Sequence, residues 1–209
     1  MNRFFLSLAA LPFLSACATA PAPLPPLTTY DRVDCHPSPD LTQAVSLTPL
    51  KDKRVWVVNN PIGQGDCLSR DGAMGPYVVY ELPTHGTAQL IELGSLLEGA
   101  RIFSPTVVLM DEGGRETRVM KPEHYMFRSN LYSIQFQPTE HERYALVTVD
   151  PNLIGERYEA ILAGTNSTMV CYGYGCSNWR SGSETQLSQG FSYSGTLLAK
   201  VYRPEKERN

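Results

Sequence analysis

A series of short runs dense in β-branched and aromatic residues limits what this chain can fold into. They are Arg54-Val-Trp-Val-Val, Tyr77-Val-Val-Tyr-Glu-Leu, Ala88-Gln-Leu-Ile-Glu-Leu, Thr106-Val-Val-Leu-Met, Leu131-Tyr-Ser-Ile-Gln-Phe, Arg143-Tyr-Ala-Leu-Val-Thr-Val and Gly195-Thr-Leu-Leu-Ala-Lys-Val-Tyr, with turn residues between them. Such runs, bounded by Gly, Pro, Asn, Asp and Ser, have the period of strands, not of helices. Asp111-Glu-Gly-Gly between Thr106–Met110 and Glu116–Met120 marks a hairpin, because glycine accepts the positive φ of a tight turn. Helix candidates are confined to Pro39–Ser46, Gly94–Glu98 and Pro151–Leu162. Many short strands at modest spacing predict a mainly β protein, an antiparallel, jelly-roll-like β-sandwich with few short helices.

The N-terminus calls for a different environment. After Met-Asn-Arg, the stretch Phe4 to Ala16 is apolar apart from Ser7, Pro12 and Ser15, and it is too short to span a bilayer, which takes roughly 20 apolar residues. It has the form of a signal peptide over residues 1–16. Leu14-Ser15-Ala16-Cys17 resembles the lipobox of bacterial lipoproteins, so cleavage before Cys17 and lipidation of that cysteine are expected. Two or three acyl chains make a stable anchor, each buried CH₂ contributing about 0.8 kcal/mol. Ala18 stands where an aspartate often retains such proteins in the inner membrane, which points to the outer membrane and a periplasm-facing domain. Pro21, Pro23, Pro25 and Pro26 make residues 17–30 a tether, a disordered linker of about 3 Å per residue that holds the rest some 40 Å from the lipid. Residues 31–209 form the folded domain, with 31–70 as an N-terminal extension.

Charge narrows the partners. Without Met1–Ala16 the balance is 17 basic against 21 acidic residues, a formal charge of 17 − 21 = −4, and the basic residues are scattered or mixed with acids, as in Glu140-His141-Glu142-Arg143. A nucleic-acid surface needs clustered cations, so nucleic acid is excluded as a partner. Besides Cys17 there are four cysteines, Cys35, Cys67, Cys171 and Cys176, an even number in an oxidising compartment, and two disulfides are expected. Of three connectivities, Cys35–Cys67 with Cys171–Cys176 keeps both bridges local. On loop entropy the first contributes about 3.5 kcal/mol and the second about 2. Cys171-Tyr-Gly-Tyr-Gly-Cys176 lacks C-x₂-C spacing and has no histidine near it, so no metal is expected.

A resemblance adds to this reading. Arg101-Ile-Phe-Ser-Pro-Thr-Val-Val-Leu-Met-Asp-Glu, preceded by Tyr77-Val-Val-Tyr-Glu-Leu-Pro and followed by Glu142-Arg-Tyr-Ala-Leu-Val-Thr-Val and Gly195 to Val201, is similar to the C-terminal domain of the maltose-operon periplasmic protein (MalM) family. The likeness covers about half of the chain after the signal peptide. It implies an exported β-sandwich without known catalysis, of a kind found as accessory domains beside carbohydrate-active proteins, and it carries over no site residue. The chain departs from the family in its four cysteines, in the stretch Asn166 to Gln189 and in its lipobox.

Catalytic constellations are sparse. His36, His85, His124 and His141 sit in no ligand spacing such as H-E-x-x-H. Glu123-His124 and Glu140-His141 place a carboxylate beside an imidazole, but neighbours on a strand point to opposite faces, so these read as solvated loop histidines. No G-x-S-x-G elbow occurs; Ser181-Gly182-Ser183 lies in what reads as a polar loop, and Gly63-Gln-Gly-Asp66 reads as a turn beside Cys67. No cofactor is implied. The remaining lead is aromatic: Tyr172, Tyr174, Trp179, Phe191 and Tyr193 cluster around a cysteine-closed loop, and a rigid loop bearing rings loses little entropy on docking to a protein or a sugar; the alternative is that Phe191-Ser-Tyr193 and Cys171-Tyr-Gly-Tyr are strand edges whose rings cover the core. The expected function is a non-enzymatic, outer-membrane-anchored lipoprotein that binds or scaffolds an envelope component, protein or polysaccharide. A glycan-binding accessory protein is the alternative, and a periplasmic hydrolase working through His124 or His141 the third class.

Overall fold

The runs of period two become strands. The computed structural model describes residues 24–49, 53–88, 90–120, 122–173 and 175–203. In chain order its strands are β1 (Val45–Ser46), β2 (Val55–Ile62), β3 (Cys67–Arg70), β4 (Ala73–Glu81), β5 (Leu90–Leu96), β6 (Arg101–Phe103), β7 (Pro105–Met110), β8 (Glu116–Val119), β9 (Met126–Arg128), β10 (Leu131–Phe136), β11 (Tyr144–Val149), β12 (Arg157–Tyr172), β13 (Gly175–Ser192) and β14 (Gly195–Tyr202). One sheet has the order β1-β4-β11-β7-β8, with β3 also paired to β4. A second has the order β2-β14-β5-β10-β9, and a third β12-β13-β6. Pairing among these strands is antiparallel except at β1–β4 and β13–β6. The hairpin expected around Asp111 is β7–β8.

The first two sheets close on one another as a β-sandwich. Tyr80, Val107, Leu109, Ala145 and Val147 of the first meet Ile91, Leu93, Ile134, Leu197, Ala199 and Val201 of the second in one cluster sealed from water. Each Val, Leu or Ile among them contributes roughly 1.5–3 kcal/mol by leaving water. The first sheet is also covered on its other face, where Leu68, Tyr77, Val79, Val108, Met110 and Leu146 pack beneath Leu41, Ala44 and Tyr144. That second cover explains why β4, β7 and β11 read as continuous apolar runs instead of strict alternation.

The helix candidates resolve differently. Pro39–Ser46 contains a single 3-10 turn, Leu41–Gln43, capped by the Asp40 carboxylate accepting the Thr42 N–H at 2.9 Å; Val45 and Ser46 then pair with Tyr80 and Glu81. Gly94–Glu98 is not helical, since β5 runs through Leu96 with Gly94 opposite Ser133 of β10. Pro151–Leu162 is a turn through Gly155 (φ 83°) followed by the start of β12. Its apolar spacing mimics a helix because Leu153, Ile154 and Tyr158 all pack on the core from a turn and a strand.

Both expected disulfides are formed, Cys35–Cys67 and Cys171–Cys176. The first holds the cover of the outer cluster in place: His36 bridges Leu68, with the His36 N–H donating to Cys67 O at 2.8 Å and the Ser69 N–H to His36 O at 2.8 Å. The expected signal peptide and Cys17 lie outside the described residues. The end of the expected tether is attached to the body. The Leu27 N–H donates to Ser192 Oγ at 2.8 Å, the Tyr193 N–H donates to Leu27 O at 2.9 Å, and Tyr30 stacks on Tyr193 at 5.3 Å between ring centroids. Gly190 permits this approach, since a Cβ there would lie 2.9 Å from Pro26 Cγ.

One buried charge sits on the outward side of β5. Glu92 is 2% exposed, between Ile91 and Leu93 of the core. Its carboxylate accepts from Ser133 Oγ (2.9 Å), Lys200 Nζ (3.0 Å) and Tyr202 OH (3.1 Å), and Arg128 in turn donates to Ser133 O at 2.7 Å. Burial pushes the Glu92 carboxyl up, but the hydrogen bonds from Lys200 and Ser133, the Lys200 charge and the Tyr202 hydroxyl together outweigh it, and the net shift is downward. A carboxyl lowered in the folded state stabilises fully above its ordinary value of 4.5, and that stabilisation is lost as pH falls below it and through the folded value. Glu92→Gln is therefore expected to cost about 1.5 kcal/mol at neutral pH, the scale of a charge-assisted hydrogen bond. It should also flatten the acid side of the stability curve; urea midpoints that lose as much on acidification in the variant as in the parent would contradict this.

Candidate functional site

β12 and β13 run side by side from Arg157 opposite Gly190 to Tyr172 opposite Gly175 with no slip in register. At about 3.3 Å per residue the ribbon is about 50 Å long. Only its base is held by the sandwich. Tyr158 stacks on Phe127 (3.7 Å between centroids) and lies 6.1 Å from Tyr132, which in turn meets Tyr125 and Phe191, each at 5.3 Å. Gly190, Phe191 and Ser192 pair with Arg101, Ile102 and Phe103; the Gln189 Nε2 donates to Gly99 O at 3.0 Å and the Ser104 N–H to Ser192 O at 3.2 Å. Beyond that base the ribbon is an arm. Of residues 166–173 and 175–182, all are exposed but Val170, which is half-buried.

The tip has two distinct faces. Residues opposite each other in the ladder share a face, and neighbours along a strand alternate. Tyr172 (77% exposed) and Trp179 (68%), which is opposite Thr168, therefore lie on one face with Val170. Met169 (69% exposed) lies on the other, with Asn178, Arg180 and the Cys171–Cys176 bridge, which links two directly opposed positions. Gly173, φ 57°, opens the connection between the strands; Tyr174 lies outside the described residues. The Ser167 hydroxyl donates to Asn178 Oδ1 across the ribbon. From residue 160 to residue 183, Arg180 is the one charged residue in the sequence.

The arm's edges are open. Among the described residues, β12 pairs only with β13, and β13 pairs beyond β12 only at Gly190–Ser192. Sheet edges are ordinarily guarded by lysine, proline, inward charges or bulges. Residues 157–190 contain neither lysine nor proline, and the ladder has no bulge. A two-stranded ribbon on its own is marginal in water, which makes this the part of the molecule whose surface most calls for a cover.

The histidines lie at separate places among the described residues, two of them in one cleft. His85 and His141 line a cleft of about 710 Å³ with Asp111, Arg115, Glu140 and Glu142. Its carboxylates are engaged in holding loops: Glu142 accepts from Arg118 Nε and Nη2 at 3.0 Å each and from the Thr139 N–H at 2.8 Å, while Asp111 accepts from the Arg115 N–H and Nε, both at 2.9 Å. The Arg115 backbone N–H, with its guanidinium, holds the Asp111 carboxyl below the ordinary range. His141 pairs with Glu140 at 3.2 Å on the open surface, and His85 Nδ1 lies 3.3 Å from Pro138 O. His124 belongs to a 3-10 turn, Pro122–His124, and His36 to the bridge beside Cys67. No three His, Cys, Asp or Glu side chains converge as a metal site among the described residues, and no helix there is long and apolar enough to cross a membrane.

No protein-family model, no characterised protein and no solved structure matches the chain. The reading of Ser181-Gly182-Ser183 as a polar loop is corrected: these residues belong to β13, paired across to Gly164, Thr165 and Asn166. Cys171-Tyr172 and Phe191-Ser192 are strand ends as the alternative reading has it, with Phe191 buried, but the Tyr172 and Trp179 rings are exposed and do not cover the core; the length of the ribbon and the place of Met169 on it are not marked in the sequence. The available signal was the spacing of Cys171 and Cys176, which suits opposed positions flanking a tight turn.

Proposed function

We propose that the protein is an outer-membrane-anchored lipoprotein whose β-sandwich projects the β12–β13 arm to bind or scaffold a component of the envelope, without catalysis. The observation that carries this reading is the exposure of Met169, Tyr172 and Trp179 at the end of an open-edged ribbon rooted in the core. The lipobox at Leu14–Cys17 supports the anchor, with the chain from Cys17 leading to the segment around Leu27 that is fastened to the body. A second reading, a glycan-binding accessory protein of the MalM kind, is favoured by Tyr172 and Trp179 sharing one face, where a sugar ring could stack.

Cross-linking in living cells separates these readings from their rivals. The tagged full chain should capture a defined envelope component, and a variant with residues 162–185 replaced by a short turn should lose that capture while its sandwich stays folded. Capture that survives removal of the arm would refute the arm as contact element. Melting of the full chain raised by an oligosaccharide, and no longer raised once Tyr172 and Trp179 are alanine, would replace the first reading by the second.

A further inference from the structure

The arm and the attached tether bear on what covers the tip. Pro26 rests on Gly190 and Leu27 is hydrogen-bonded to Ser192 and Tyr193, so the chain leading back to Cys17 leaves the body at the root of the arm. Pro26 lies nine positions after Cys17, a span of at most about 30 Å. The arm beyond its base, at about 40 Å, is longer than that leash. An arm inclined toward the lipid therefore reaches it before the leash is taut.

The chemistry of the tip fits such a contact better than a flat ligand. A sugar ring or a second sheet is met by one face, whereas this tip exposes a large apolar side chain on each, Met169 on one side and Tyr172 and Trp179 on the other. Trp and Tyr are the side chains that settle at the level of lipid head groups. Arg180 follows Trp179 directly, and the span 160–183 holds no carboxylate to be repelled by anionic lipid. The open edges limit the depth. In hydrocarbon the unpaired N–H and C=O groups of a lone ribbon would have no partner, so the tip stops among the hydrated head groups.

We infer that the arm is a second, non-covalent membrane contact: Trp179, Tyr172 and Met169 enter the head-group region of a phospholipid bilayer, with Arg180 against a lipid phosphate. This rests on the anchored-lipoprotein reading above. The contact fixes the body at two points, the acylated Cys17 and the arm tip, and so sets which side of the sandwich faces away from the membrane.

The test uses the acylated full chain in vesicles of phosphatidylethanolamine and phosphatidylglycerol, with Trp56→Phe leaving Trp179 as the only indole. On binding, Trp179 emission should move to the blue and fall by about half when the acyl chains carry bromine close to the glycerol, as expected for an indole at head-group depth. If Trp56→Phe unfolds the protein, the same signal is read as the difference between the parent chain and Trp179→Phe. A chain that floats with the vesicles yet shows unquenched, water-exposed Trp179 emission overturns the inference and leaves the anchor standing. A chain that does not float overturns the anchor and the inference together. A blue shift that grows with protein concentration and ignores brominated lipid would assign the tip to a second copy of the chain and overturn the inference as well.

Discussion

Gly94→Ala is expected to lower the unfolding free energy by about 3 kcal/mol, the upper part of the range for forced overpacking. Gly94 lies in β5, in the middle of the second sheet, directly opposite Ser133 of β10. A Cβ at this position would stand 2.2 Å from the Tyr132 carbonyl oxygen and 2.6 Å from Ser133 Cα, both backbone atoms. Backbone in a ladder cannot swing aside as a long side chain does, so β10 must move away from β5. That shift reaches Ser133, hence the hydrogen bonds to Glu92 and Arg128, and Tyr132, the hub of the aromatic cluster under the arm. Urea unfolding should show the midpoint falling with the slope unchanged, the pattern of lost stability without a changed unfolded state. A variant as stable as the parent would mean that β5 and β10 do not approach this closely.

Replacing Cys35 and Cys67 together by alanine should cost about 3.5 kcal/mol, from the entropy returned to an unfolded chain no longer tied across 32 residues. The loss should appear first in one place. Leu41 and Ala44 cover the outer cluster of the first sheet, and the segment bearing them is fastened at His36 and Leu68 beside the bridge. Hydrogen exchange should therefore accelerate between residues 36 and 47 before the sandwich opens. The corresponding change at Cys171 and Cys176 closes a far smaller loop, about 2 kcal/mol, in a ribbon held only at its base. Its effect should stay within the arm and leave the global midpoint nearly unmoved. Equal loss of global stability from the two pairs would show that the arm unfolds together with the core.

The sandwich was legible because burial and periodicity agree in it. Val107, Leu109, Ala145 and Val147 occupy alternate positions on their strands and one face of a sheet, and that face makes the core. The arm was illegible for the opposite reason. From Asn166 to Gly182 most side chains are Ser, Thr, Asn or Gly and meet water on both sides, so no buried face imposes a period. Its geometry comes from the two ends, the Tyr158–Phe127–Tyr132–Phe191 cluster and the Cys171–Cys176 bridge. Leu96-Leu97-Glu98 shows a third case. Its helix-forming residues follow Gly94, and the pairing of Leu96 with Leu131, continued by the Leu97 N–H donating to Asn130 O, overrides their preference. Of the candidate site, the rings Tyr172 and Trp179 were found by composition alone, whereas Met169 and the division into two faces depend on the register of the ladder.

β13 ends at Ser192 and β14 begins at Gly195, so the arm is continuous along the chain with a strand inside the second sheet. A pull applied at the tip is therefore passed along the chain to β14, which is held by eight paired positions on β2 and six on β5. A strand gripped on both sides in this way yields only at high force. The root of the arm is thus fastened at two places, to the ladders of β14 and, through Leu27, to the segment that precedes the domain.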